Sequence, residues 1–208
     1  MAEVVLVGGG GHARVLLRAL LDAGRSVRGY SAPNASGAEL PIAWLGDDEA
    51  LLTDAGAAGG EAVLALGKHD GGAFRLVLQQ RYESAGYVFK PLVAAGAVVH
   101  VDVSLGHGTV VLSGAAVITG SRLGRACIVN THASVDHDCV LGDDVHVAPG
   151  AVLCGAVRVG HHVFVGAGAT VVPGVHIATG VVIGAGATVV RDIDSAGVYV
   201  GSPARRVH

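Results

Sequence analysis

The sequence predicts a small parallel α/β domain followed by an all-β parallel β-helix. Two patterns carry the prediction. Short apolar runs alternate with helical stretches through residues 1–90, and a strict six-residue period runs through residues 91–208. A third observation agrees: hydrophobic residues make up 51% of the chain, yet aromatics only 4%, and there are 33 glycines. A β-helix needs small and branched side chains inside and glycine at its turns.

The first strand is the apolar run Glu3 to Val7, followed by Gly8-Gly9-Gly10-Gly11-His12-Ala13. A helical pattern covers Arg14 to Ala23, and Ser26 to Tyr30 reads as a second strand. Asp47 to Ala55 reads as a helix, Ala62 to Leu66 as a buried strand, Phe74 to Ala85 as a helix and Tyr87 to Phe89 as a last strand. Strand and helix in alternation argue for a small Rossmann-like parallel sheet. The boundary falls near Lys90-Pro91, where the period changes to six.

From Val93 to Val189, seventeen residues at every sixth position are all Val, Leu or Ile. Two places before many of them sits a small or branched residue, as at Ala115, Ser121, Cys127, Ala133, Cys139 and Val145. One large and one small site per hexad fill a narrow interior. Gly106, Gly124, Gly142 and Gly160 recur at an interval of eighteen residues, so three hexads make one coil and residue i+18 lies over residue i.

Net charge of -3 provides no basic field for nucleic acid. No apolar run approaches the roughly 18 residues of a membrane span, and no signal peptide is legible, so the expectation is a soluble, cytoplasmic protein without a membrane partner. Cys127, Cys139 and Cys154 are odd in number and lie within the repeats, which favours reduced thiols.

Two regions carry chemistry. The glycine loop fits G-x-G-x-x-A at Gly8, Gly10 and Ala13, where strand becomes helix and backbone N–H groups can face a phosphate. A tight βα turn of no further purpose uses glycine as well. A dinucleotide site would also want an acid after the second strand for ribose hydroxyls, but Tyr30-Ser31-Ala32-Pro33-Asn34 has none, which disfavours an NAD enzyme. The second region is Asn130 to His146, with His132, Asp136, His137, Asp138, Asp143, Asp144 and His146. Hexad interiors stay apolar here, so these side chains project outward or occupy turns. His100, His107, His161, His162, His176 and His208 read as ordinary polar turn residues.

Histidine flanked by carboxylates has its tautomer fixed and its basicity raised, which suits His137 to general-base work with Asp138 as its support. Gly155 lies one coil above His137, about one strand spacing of roughly 4.8 Å away. Its N–H is placed to donate to an oxyanion. Base and oxyanion donor so arranged suit acyl transfer. Cys139 is an interior residue and Cys154 has no visible partner, so direct transfer is more economical than a covalent intermediate.

The whole chain resembles the NeuD/PglD family of hexapeptide-repeat sugar acyltransferases. The resemblance rests on the Gly-Gly-Gly-His loop, on Ile128-Val129-Asn130-Thr131 through Val135-Asp136-His137-Asp138-Cys139, on Leu141-Gly142-Asp143-Asp144-Val145-His146 with Pro149-Gly150-Ala151, and on the closing Gly197-Val198-Tyr199-Val200-Gly201-Ser202-Pro203-Ala204-Arg205. It implies a left-handed β-helix, a homotrimer and acetyl-CoA as co-substrate between neighbouring helices. It also implies His137 as general base with Asp138 beside it. His146 would contact the acetyl-CoA, Gly155 would lie by the thioester carbonyl, and backbone near Ala167 and Ala185 would meet the pantetheine arm. Gly10, Gly11, His12 and Gly67 match positions that hold the nucleotide-sugar. The chain departs from the family at Ser31-Ala32-Pro33, where acids are common, and at Lys90, where histidine is common.

The expected reaction is N-acetylation of a nucleotide-linked amino-deoxy sugar, with O-acetylation of a sugar hydroxyl as a close variant. Two rivals differ in class. In a γ-carbonic-anhydrase-like zinc site His132 and His137 would be ligands, but the third position falls on Gly96 and the nearest histidine is His100; no metal is expected. The other rival is a non-catalytic trimeric scaffold.

Overall fold

In a computed structural model, residues 3–35, 40–53 and 60–207 are described. Strand β1 (Val4–Val7) is the centre of a three-stranded parallel sheet, between β2 (Val27–Ser31) and β3 (Glu61–Leu64). Helix α1 (Gly11–Asp22) follows β1, α2 (Asp48–Thr53) precedes β3, and α3 (Phe74–Ser84) follows it. The first helix begins three residues earlier than its apolar period suggests, so Gly11 belongs to its first turn and Gly10 is its N-cap. Tyr87 to Phe89, expected as a strand, contributes a single bridge from Val88 to Glu61. The chain turns away at once: Phe89 is buried, and its carbonyl accepts from Gly108 in the first coil at 2.9 Å. Asp54 and Ala55, expected at the end of a helix, lie outside the described residues, as does His208.

The remainder is a left-handed parallel β-helix built mostly of two-residue strands. Its first face begins at Leu92–Val93, its second at Val98–Val99 and its third at Ser104–Leu105. Among the described residues these faces hold eight, six and five strands. Pairing confirms the eighteen-residue coil, since Ile128 stands against His146 and Val135 against Leu153. Both interior sites of each hexad are filled as their types suggest, with Val111, Val117, Val129, Val135 and Val147 all fully buried over Ala115, Cys127 and Val145. Val93 departs from this rule at 40% exposed, because it sits on the first coil with none beneath it.

Glycines at eighteen-residue intervals have a steric cause. A Cβ on Gly124 would come within 2.7 Å of the Gly142 carbonyl carbon, and one on Gly142 within 2.9 Å of that of Gly160. Backbone therefore stacks on backbone at this corner. Corner residues adopt positive φ every six residues, including Ala126, His132, Asp138, Asp144, Ala156 and His162. Such φ values in non-glycine residues are uncommon, and here the stacked coils impose them.

The two parts are packed together. Leu16, Leu17 and Leu20 of α1 belong to one buried cluster with Leu92, Val110, Leu112 and Ile128 of the first face. Beside it lies a buried polar cluster. Asp144 is fully buried, takes a hydrogen bond from Lys68 Nζ at 2.9 Å, and is paired with Arg75. Arg75 also donates to the carbonyls of Leu66 and Ala126, each at 2.8 Å. Asp144 thus leaves the β-helix interior, as expected of a polar corner residue, yet meets the first domain instead of water.

Candidate active site

Each coil has three corners, and the predicted residues divide among them. His137 and Asp138 occupy the corner between the second and third faces, with Gly155 directly above on the next coil. The Ala156 N–H donates to the His137 carbonyl at 2.8 Å, which sets that stacking. His137 Nδ1 lies 2.9 Å from Asp138 Oδ2, and because a carboxylate only accepts, Nδ1 carries the proton. The lone pair of Nε2 is then left free, on the side of Gly155. Asp136 Oδ1 accepts the His137 N–H at 2.8 Å, which fixes the backbone of the triplet. The hydrogen bond to Asp138, and then the charge of Asp136, raise the His137 pKa above the usual histidine value.

Gly155 closes this corner. A Cβ there would lie 2.6 Å from His137 Cε1 and closer still to Nε2. Among the described residues its N–H donates to no protein acceptor. An exposed imidazole with a free Nε2 beside an unbonded backbone N–H can take a proton from a nucleophile and steady a developing oxyanion.

Ala167 and Ala185 stack on each other at a different corner, between the first and second faces, and both are exposed. Gly186 N–H donates to the Ala167 carbonyl at 2.9 Å. Within one protomer a whole face of the helix separates them from His137.

His146 lies apart from both groups. It stands on the first face, 7% exposed, edge-on to Phe164, and Nδ1 donates to the Lys68 carbonyl at 2.6 Å. Nε2 takes the Asn130 side-chain amide at 3.0 Å. Burial is the main reason that its pKa falls to about 4, so it is neutral and its ring is fully engaged.

The glycine loop lies at the carboxyl end of β1, facing the loop that follows β3. Gly8 and Gly9 are demanded by the fold: a Cβ would press on the Ala65 carbonyl in the first case and the Tyr30 ring in the second. Gly10, Gly11 and Gly67 face open space, with nothing within 4 Å of a Cβ. Those three are where a ligand backbone can approach. A cleft of about 410 Å³ runs past Gly8, Gly9 and Gly10 to Ser31, Asn34 and Asp48. His12 points into the domain instead; its Nε2 is buried without a partner, and burial, then Arg75 and His146, push its pKa down to about 3.

Sequence reasoning passed over Lys68, Arg75 and Asp48. A Lys or Arg in an apolar domain carries no local signal of its partner, which here lies 69 or more residues away. His132 and His137 lie at different corners of one protomer, and among the described residues no three His, Cys, Asp or Glu side chains converge as a metal-binding set. Cys127 and Cys139 fill interior sites, where burial pushes their thiols up to about 12 and about 11, far from thiolate chemistry at neutral pH.

No protein-family model and no curated protein sequence matches the chain. Solved structures do. PerB from Caulobacter crescentus, in complex with CoA and GDP-perosamine, is 36% identical with a TM-score of 0.92, and the alignment covers 100% of this chain and 98% of that one. The acetyltransferase domain of PglB from Neisseria gonorrhoeae FA1090 is 29% identical with a TM-score of 0.93 and full coverage of both chains. WeeI from Acinetobacter baumannii AYE, at 20% identity and a TM-score of 0.80, shares the fold. The fold and the whole-length similarity to these structures define an acyltransferase of the hexapeptide-repeat class. The chain belongs to the NeuD/PglD family of sugar acyltransferases within it.

Proposed function

We propose that this enzyme transfers the acetyl group of acetyl-CoA to the amine of a nucleotide-linked amino-deoxy sugar, with His137 as general base. The observation that carries this reading is the free Nε2 of His137, with Asp138 on the other ring nitrogen and Gly155 overhead. PerB, similar over its whole length, was solved with CoA and GDP-perosamine, which supports both ligand classes.

Acetyl-CoA is the co-substrate. The amine attacks the thioester carbonyl, forming the C–N bond while its proton passes to His137 Nε2. The carbonyl electrons move onto oxygen beside the Gly155 N–H. Collapse breaks the C–S bond, and the CoA sulfur leaves as thiolate, which takes up the proton held by the imidazolium. Asp138 keeps Nδ1 protonated and offsets the charge His137 acquires. Gly10, Gly11 and Gly67 offer open backbone to the sugar nucleotide's phosphates, with α1 presenting its N-terminal N–H groups.

The assembly that fits this reading is a homotrimer, in which acetyl-CoA lies between protomers and reaches the Ala167–Ala185 corner of one and the His137 corner of its neighbour. Among the described residues no helix is long and apolar enough to cross a membrane. A cytoplasmic site suits an enzyme supplied with acetyl-CoA and carrying free buried thiols.

The test is a panel of UDP-, GDP- and dTDP-linked 4-amino sugars incubated with acetyl-CoA, with thiol release as the readout. Release dependent on one amino sugar and abolished by its N-acetyl form supports the reading. Release with none of them, from enzyme that binds acetyl-CoA, overturns it.

A further inference from the structure

Strand β2 ends in Ser31-Ala32-Pro33, without the carboxylate that α/β nucleotide clefts place there for ribose hydroxyls. A carboxylate nevertheless occupies the position. Asp48, the first residue of α2, reaches back over the end of β2. Ser31 Oγ donates to its Oδ1 at 2.9 Å, and the Tyr82 hydroxyl donates to the same oxygen at 2.7 Å. Both hydroxyl-bearing residues are fully buried and their oxygens stand 3.2 Å apart, so Asp48 is held from inside the domain. Among the described residues Oδ2 accepts no hydrogen bond, and Asp48 lines the cleft that begins at the glycine loop.

We propose that Asp48 Oδ2 accepts a hydrogen bond from the ribose 2′-hydroxyl of the acceptor nucleotide, and that the enzyme therefore selects ribonucleoside over 2′-deoxyribonucleoside diphosphate sugars. The inference rests on the reading that this cleft holds a sugar nucleotide. A carboxylate repels phosphate, and phosphate has its own place at Gly10 and the α1 N-terminus, which leaves the nucleoside for Asp48. One Asp48 oxygen is already satisfied by two hydroxyls. The other is a fixed acceptor that must lose water when a nucleotide fills the cleft. A 2′-hydroxyl replaces that water with a charge-assisted bond, whereas a 2′-deoxyribose leaves the carboxylate desolvated and unpaired. Sites built around a ligand hydroxyl reject the analogue lacking it for this reason. Ser31 and Tyr82 are positioning residues, acting only through Asp48.

The experiment measures dissociation constants for UDP and GDP and for their 2′-deoxy counterparts, by calorimetry and by fluorescence of Trp44. That residue is the chain's single tryptophan, and its Nε1 donates to the Ala32 carbonyl beside the cleft at 3.0 Å. The wild-type protein is expected to bind the ribose forms roughly ten- to hundredfold more tightly, the range for a bond to a charged group. In Asp48→Ala that ratio falls to near one. Asp48→Asn keeps an oxygen for Ser31 and Tyr82 and retains a preference of only a few fold. A purely structural role for Asp48 would change all four affinities alike and leave the ratio untouched. Equal ribose and deoxyribose affinities in the wild type, or a full ratio in Asp48→Ala, overturn the inference and leave the acetyltransferase reading intact. Failure of every nucleotide to bind, in protein that still binds acetyl-CoA, overturns both.

Discussion

Gly155 lies over His137 so closely that one added methyl group would overlap the imidazole at Nε2. The backbone of Gly155 has no left-handed φ that would itself require glycine. The atoms nearest such a side chain all belong to the histidine below, and a ring at an exposed corner can swing aside at small cost. Gly155→Ala should therefore leave the melting temperature nearly unchanged while lowering kcat by about 10²-fold through a misplaced base. Thermal denaturation and turnover on the same preparation check this; full activity would show that Nε2 is not where the chemistry occurs.

His137→Ala should bind acetyl-CoA normally and lose roughly 10²–10⁴-fold in turnover, the usual cost of a positioned base. Raising the pH should restore part of the loss when the acceptor is an amine, because more of it is already deprotonated. Near-normal turnover would remove His137 from the mechanism.

A general base at His137 would work in its neutral form, and the His137 pKa is raised by Asp138 first and Asp136 second. Activity should accordingly fall as pH drops through a value above the ordinary histidine 6.5. Asp138→Asn removes the larger cause, so the acid limb of kcat/KM should move to lower pH even as the maximum declines. A pH profile whose acid limb does not move contradicts the Asp138 assignment.

Gly10 faces open space, so a valine there is compatible with the fold but narrows the approach to the α1 N-terminus. Gly10→Val should raise the apparent KM for the sugar nucleotide at least severalfold and leave that for acetyl-CoA unchanged. Initial-rate kinetics with each substrate varied decide it, and the reverse pattern would reassign the α/β domain.

Asp144→Asn keeps the shape and tolerates the positive φ of 55°, but leaves Arg75 buried without its counter-charge and Lys68 with only the exposed Asp70, 3.7 Å away. Removing one partner of such a group costs about 3–5 kcal/mol. Denaturant unfolding should show that loss, with the two domains separating more readily. A separate acid effect comes from His12 and His146, whose folded pKa values of about 3 and about 4 lie below 6.5. The unfolded chain binds protons first, so their stabilising effect is complete above about pH 6.5 and declines as pH falls, to about 4 for His146 and about 3 for His12.

The β-helix was legible because its period is a local rule repeated many times. Val111, Val129 and Val147 face inward whatever surrounds them, since each hexad makes the same turn, and the eighteen-residue glycine column already states the coil length. The stacking of Gly155 over His137 was legible for the same reason: in a solenoid, i+18 is a spatial neighbour. Tertiary structure alone decided what faces the other domain. Asp144, at a corner, and His146, on the strand that follows it, read as polar residues projecting from the coil, but α3 and the loop after β3 cover them. Likewise the missing acid after β2 could not be traced to Asp48, because the hydroxyls that hold it come from Ser31 and Tyr82, 17 and 34 residues away. Periodicity reports neighbours along a repeat, whereas packing between unlike domains follows from surface shape and charge that no local pattern encodes.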